Sequence, residues 1–410
     1  MEVKDYAASF FIGHTTRGLA SAVFFDPSFA GFNNHPPVSV ITGAPGSGKT
    51  FFAQTLCAQS AIAGKMTVVI DPKADFLSMI SIEEDIGDVT LIRLSERSRR
   101  GIIDPFVMAG EDKSHGILLA KELISILTGI PARELPIEAI NPICTDVANS
   151  KNPSFSAVVR LMRGFHQDGS DQLSSQVRGI GTALNTIAQT PFGKLLFSNE
   201  YQKPPKISLS SGTTVITMLG VDLPTAAQPV EDHTDQNRIA SSIMYLISDF
   251  ASRAMMNDES SVPKLLIIDE AWSVIQNSAG KEMIQKVSLL GRSLNTSLLL
   301  ITQSLDHLEG ISIENTISTF FAFGTKGKEG NLITTYMGLR EDNDEDPTDW
   351  TELMSALQPG ECLMKDIKGN FSTVQIARYK EDWARAFETS PLRKDPNKGK
   401  RRRKRPTSTE

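Results

Sequence analysis

Cysteine is scarce in this 410-residue chain: Cys57, Cys144 and Cys362 lie far apart. They form no metal-ligand spacing and read as small core residues suited to a reducing cytoplasm. The six histidines are equally scattered and show no zinc motif. No apolar run approaches the roughly 18–20 residues that span a membrane. Met1-Glu2-Val3-Lys4-Asp5 lacks the basic start and apolar stretch of a secretory leader, so none is expected. A net positive balance is confined to the tail. Net charge is −6, yet residues 393–405 hold nine Lys/Arg and one acidic residue, which leaves about −14 for the rest. That excludes a strongly basic DNA-binding body, while a local basic pore surface stays open. Internal repeats are also lacking. A 40% hydrophobic and 22% charged composition fits a globular protein large enough for one big core or two domains.

What is present begins with Gly43-Ala44-Pro45-Gly46-Ser47-Gly48-Lys49-Thr50, the phosphate-loop form G-x-x-x-x-G-K-[ST]. Glycines let the backbone wrap a polyphosphate, and successive N–H groups at the following helix start point at the anion. Lys49 is placed to reach the β- and γ-phosphates and the Thr50 hydroxyl to ligate Mg²⁺, with Phe51 closing the nucleotide-contacting run. Val38-Ser39-Val40-Ile41 reads as a buried strand before the loop. Phe51 to Ala63 reads as the helix after it, with Phe52, Leu56 and Ala63 on one side.

Further strands are expected at Met66–Asp71, Val89–Leu94, Thr214–Leu219, Pro263–Ile268, Ser297–Thr302 and Thr319–Phe323. Long crossovers between them imply a parallel sheet. Residues 5–30 alternate apolar and polar as strands and turns. Cys362–Lys365 and Val374–Ile376 read as a late hairpin turning through Gly369-Asn370. From about Gly110 to Ser198, apolar residues recur at helical spacing without a strand. Long helices are predicted over 236–255 and 281–294. The resulting division is a β segment at 1–35, the first part of an α/β core at 36–109, an all-helical insertion at 110–205, the second part of the core at 206–385, and a basic tail at 386–410. An acidic loop occupies 342–349, and the Pro- and charge-rich tail is expected to be disordered.

Leu265-Leu266-Ile267-Ile268-Asp269-Glu270 supplies the second half of an ATPase site. Asp269 emerges at the C-terminal end of a buried strand, where ligands bind open α/β sheets. It is assigned to hold Mg²⁺ through water, and Glu270 to polarise the attacking water. Gln303 closes the next strand and can hydrogen-bond the γ-phosphate or that water. Ring ATPases often take a cation from a neighbouring subunit; Arg292 is the first candidate, with Arg238 and Arg340 as rivals. Asp71 and Asp75, in Asp71-Pro72-Lys73-Ala74-Asp75, fit either a place near the metal or a helix-capping role. The tail Lys400–Arg405 suits nucleic acid, acidic lipid, or no ligand.

The order of these motifs, with Ile268-Asp269-Glu270-Ala271-Trp272, Leu300-Ile301-Thr302-Gln303 and Pro359-Gly360-Glu361-Cys362, resembles the conjugative type IV secretion ATPases, the TraC-like branch of the FtsK/HerA-type ring motors. The likeness runs from about Gly13 to Ala377. It implies a RecA-like P-loop NTPase core with a mostly parallel sheet and an all-helical lid. It implies ATP and Mg²⁺ as cofactors and a homo-oligomer, hexameric or dimeric. It implies docking with other channel subunits at the cytoplasmic face of a membrane, with direct DNA contact left open. It carries over Lys49 and Thr50 as phosphate and metal ligands, Asp269 and Glu270 as metal and catalytic acids, and Gln303 as sensor. Arg292 falls where the family shows Arg-Lys, and Ser293 replaces the lysine. Ala74 stands where glycine is common. Members carry a domain ahead of the ATPase part, so a fragment or a short relative is expected. The function expected is ATP hydrolysis that energises assembly of, or transfer through, a conjugation channel. The rivals are a DNA-translocating motor of the coupling-protein or HerA kind, and a nucleotide-dependent scaffold with little turnover.

Overall fold

The computed structural model describes residues 9–198, 212–225, 228–256, 262–275, 278–308, 316–339 and 349–388. The basic tail, most of the acidic loop and Arg340 lie outside the described residues. A single eleven-stranded sheet organises the chain. Its strands are β1 (Phe10–Thr15), β2 (Ala22–Phe25), β3 (Val38–Thr42), β4 (Met66–Asp71), β5 (Val89–Leu94), β6 (Thr213–Met218), β7 (Lys264–Ile268), β8 (Thr296–Thr302), β9 (Ile317–Phe323), β10 (Glu361–Lys365) and β11 (Phe371–Ile376). Their spatial order is β2-β1-β11-β10-β9-β3-β8-β7-β4-β6-β5. From β9 to β5 neighbours run parallel; from β9 back to β2 they run antiparallel. The amino-terminal and late hairpins therefore join through β1 and β11 into one antiparallel flank.

Among the described residues fifteen α-helical segments accompany the sheet. Before the insertion come α1 (Phe29–Phe32), α2 (Lys49–Ile62) and α3 (Glu83–Ile86). Between β5 and β6 the described residues form no strand but six α-helices: α4 (Pro105–Ala109), α5 (Lys113–Thr128), α6 (Leu135–Glu138), α7 (Asn141–Ala148), α8 (Phe155–Arg163) and α9 (Asp171–Ile187). The rest are α10 (Asp235–Met255), α11 (Ala271–Ile275), α12 (Ser278–Leu290), α13 (Lys328–Tyr336), α14 (Trp350–Ala356) and α15 (Glu381–Ala386).

The central strands are unbroken apolar runs because both sheet faces are covered. Period-two alternation sends Leu266, Ile268, Leu298 and Leu300 into one core, shared with the helical insertion, α10 and α12. Leu265, Ile267, Leu299 and Ile301 enter the other, under α2, α3 and α15. Helix α12 stops at Leu290, four residues before the expected end. Gly291 turns so closely that a Cβ there would lie 2.4 Å from the Val287 carbonyl oxygen, and Asn295 takes a left-handed φ of 51°.

Two buried polar knots fix the layers. Lys65, ahead of β4, pairs with Asp26 and donates to the Ser28 hydroxyl at 2.7 Å, tying the amino-terminal segment to the core. Asp104 is wholly buried and accepts from the backbone N–H of Phe106 at 3.0 Å, Phe155 at 2.8 Å and Ser198 at 2.8 Å, and from the Ser198 hydroxyl at 2.8 Å. It caps α4, whose Pro105 suits the first helical turn, and pins both ends of the insertion. Asp104→Ala strands three buried N–H donors, each costing about 1–3 kcal/mol. We expect a loss of at least ~3 kcal/mol in urea unfolding followed by circular dichroism; a change under ~1 kcal/mol contradicts the role.

Candidate nucleotide site

The functional residues converge because four parallel strands end side by side. In register, Thr42 of β3 faces Thr302 of β8, Leu300 of β8 faces Ile268 of β7, and Ile268 faces Ile70 of β4. The phosphate loop, Gln303, Asp269 and Asp71 follow these ends, where open α/β sheets bind ligands. β8 lies between the loop strand and the Asp-Glu strand, so Gln303 sits between them.

The loop departs from ordinary backbone where glycine permits it. Gly43, Gly46 and Gly48 have φ of 141°, 75° and 110°. A Cβ on Gly48 would stand 3.1 Å from the Gly360 nitrogen, and Gly360 N–H itself donates to the Ser47 carbonyl at 2.8 Å. The Pro359-Gly360 turn thus buttresses the loop from the late hairpin. Helix α2 opens at Lys49 directly after Gly48, which presents its free N–H groups to the cleft. Lys49 is buried and folds back on the loop, donating to the Gly43 and Ala44 carbonyls at 2.6 and 2.9 Å. Burial lowers its ammonium to about 8, although the Glu270 and Asp269 charges oppose the shift.

Asp269 is 3% exposed; burial, then the charges of Asp71, Glu270 and Asp75, push its carboxyl up to about 8. Asp71 accepts from the Phe76 N–H at 2.7 Å, so one oxygen caps the 3-10 turn Asp75–Ile82. Its other oxygen is buried without a hydrogen bond, and burial raises the group to about 6. Asp75 lines the cleft beside them. Asp71 therefore bonds the start of that turn through one oxygen, and its other oxygen lies beside the acidic cluster. Glu270 has a left-handed φ of 52°. Its Oε1 accepts from Lys73 and from Gln303 Nε2 at 2.7 Å, and its Oε2 from Trp272 Nε1 at 2.8 Å. Burial alone would raise its carboxyl, but these donors hold it below the usual range.

The residues fit a magnesium–polyphosphate group. Asp269 is buried among Asp71, Glu270 and Asp75, whose charges raise its carboxyl against the opposing charge of Lys73, and glycine-shaped backbone with a lysine and a helix start faces them. Among the described residues no three His, Cys, Asp or Glu side chains form a metal cage. That suits an ion taking most ligands from phosphate and water, as Mg²⁺ does. The cleft has a volume of ≈1070 Å³ and is also lined by Thr50, Phe51, Gln375, Arg378, Tyr379 and α15.

Two arginines proposed from sequence are not brought to this cleft. Arg292 is exposed in the turn ahead of β8, near Gly31, at the opposite end of the sheet from its own loop. Arg238, on α10, donates to the Ile126 carbonyl at 3.4 Å near the end of α5. The site residue that sequence reading passed over is Lys73. Its one sequence signal was its place between Asp71 and Asp75, two acids already singled out.

A family model described as an AAA-like domain matches residues 21–387. The Bacillus subtilis (strain 168) protein YddE is 24% identical over 390 residues, 90% of this chain and 45% of that protein. The chain thus spans about half the length of this curated relative. VirB4 of Thermoanaerobacter pseudethanolicus superposes with a TM-score of 0.67 at 16% identity, over 92% of this chain and 98% of that one. The plasmid coupling protein TrwB, solved with ADP and Mg²⁺, gives 0.56 at 13% identity, over 85% and 87%. These structural likenesses show a common fold, the RecA-like α/β core with a mostly parallel sheet.

Gly48→Ala combines a left-handed φ with a backbone contact at 3.1 Å. We expect it to cost ~1–2 kcal/mol of stability and to weaken Mg·ATP binding at least about tenfold by isothermal titration. Wild-type affinity in a folded variant contradicts the loop geometry.

Proposed function

Because the chain belongs to the AAA-like domain family, we propose that it hydrolyses ATP to energise assembly of, or substrate transfer through, a conjugative type IV secretion channel. The observation that carries this reading is the meeting of the Gly43–Thr50 loop with Asp269, Glu270 and Gln303 at the ends of β3, β7 and β8. The likeness to VirB4 and TrwB supports the conjugative setting.

On this reading the loop N–H groups from Gly46 to Phe51 hold the phosphates. Lys49 exchanges the Gly43 and Ala44 carbonyls for phosphate oxygens. Thr50 and Asp269 hold Mg²⁺, which when bound neutralises charge on the transferring phosphoryl group. Glu270 orients and deprotonates the attacking water, and Gln303, already on the same carboxylate, senses whether the terminal phosphate is present. Arg292 cannot serve its own cleft. It becomes useful only if another copy, in a dimer or hexamer, presents it across a subunit boundary. Among the described residues no helix is long and apolar enough to cross a membrane. Attachment to the cytoplasmic face through other channel subunits is part of the proposal. The domain division at 36–109, 110–205 and 206–385 belongs to it too, with the helical layer as the moving lid.

The coupling-protein reading rests on the TrwB likeness. It predicts DNA-stimulated turnover and directional strand movement; the channel-engine reading predicts turnover that DNA leaves unchanged within about twofold. Glu270→Gln should retain Mg·ATP binding within about threefold and lower kcat by 10²-fold or more, roughly the share of a positioned general base. Lys49→Ala should lose binding. Normal kcat in Glu270→Gln would falsify the assignment of the base, and equal complementation by Lys49→Ala and wild type would point to the scaffold.

A further inference from the structure

Lys73 sits on the turn after β4 and pairs with Glu270 Oε1 across the cleft. The two ends of this ion pair differ. The Glu270 side chain is 9% exposed and also held by Gln303 and Trp272; the Lys73 side chain is 48% exposed, on a flexible four-carbon stem. The lysine is thus the end that can leave. It lines the same cleft as the phosphate loop, and its charge is felt at Lys49. Asp75 and Asp269 feel it as well.

We propose that Lys73 is an exchangeable clamp on Glu270: it binds the carboxylate while the cleft lacks a terminal phosphate, and moves to that phosphate when a nucleoside triphosphate arrives. This inference rests on the ATPase reading above. A triphosphate oxygen carries more negative charge than a carboxylate already sharing donors with Gln303 and Trp272, so the exposed ammonium gains by transfer. The move leaves Glu270 Oε1 with Gln303 alone and so able to take a water. A diphosphate ends one phosphate short and leaves the clamp in place. Lys73 is therefore a residue that distinguishes the triphosphate from its product and keeps the base tied up in the unloaded protein. Ala74, in its left-handed turn, sets the position from which the lysine reaches either partner.

The test uses the full chain and Mg·ATPγS against Mg·ADP by isothermal titration, with the Trp272 indole N–H resonance as a reporter on Glu270 and Trp272→Phe to assign it. Lys73→Ala should weaken Mg·ATPγS about tenfold, as expected for one charge-assisted contact, and Mg·ADP less than twofold; Lys73→Arg should recover most of the difference. In wild type the Trp272 resonance should shift with Mg·ATPγS and stay near its unloaded position with Mg·ADP. Equal losses for both nucleotides, or a Trp272 signal that moves identically with both, overturn the clamp while leaving the ATPase reading intact. A wild-type chain that binds neither nucleotide overturns both.

Discussion

Strands β3, β8, β7 and β4 are hydrogen-bonded in parallel register, and every chemical feature of the cleft depends on it. Each strand carries its own fragment: a glycine loop, an amide, a pair of acids, a turn with a lysine between two more acids. None of these is a site alone. Register brings Thr42, Thr302, Ile268 and Ile70 to one edge, and the next residues of each strand then share one cleft. A slip of one residue in any strand would turn its side chains to the other face. The double cover of helices opposes that, since Leu266, Ile268, Leu298 and Leu300 pack into one core and Leu265, Ile267, Leu299 and Ile301 into the other.

The same edge concentrates charge. Asp71, Asp75, Asp269 and Glu270 meet Lys49 and Lys73 in a partly desolvated space. Within the cleft Lys49 lies on loop carbonyls, and Lys73, Gln303 and Trp272 lie on Glu270. One Asp71 oxygen and the raised Asp269 are the unsettled remainder. A magnesium–triphosphate group brings both a cation for those acids and anions for the two lysines. On the proposed function, a loaded cleft would use the same side chains with different partners, which is the requirement for a nucleotide-driven change of shape.

Much of this was legible in the chain because local chemistry dictated it. The loop glycines, the apolar runs of β3, β4, β7 and β8, and the acids after Ile268 follow rules that act within ten residues. What sequence could not show depends on tertiary pairing. Nothing local says that β8 separates β3 from β7, or that β1 joins β11. Asp104 holds Phe155 and Ser198 through bonds that span 51 and 94 residues, which no local pattern announces. Lys73 drew no role from the sequence, because its partner Glu270 lies 197 positions away. Arg292 was named as a cation from a neighbouring subunit, and the sheet direction puts it at the far end of the sheet from its own loop.

A crystal structure of the full chain with Mg·ATPγS tests the central claim most directly. The account predicts the terminal phosphates within hydrogen-bonding distance of Lys49 Nζ and the amides of α2's first turn, with the metal between the Thr50 hydroxyl and Asp269. Nucleotide bound elsewhere, or a cleft in which Lys49 keeps its hold on the Gly43 and Ala44 carbonyls at saturating ligand, contradicts it.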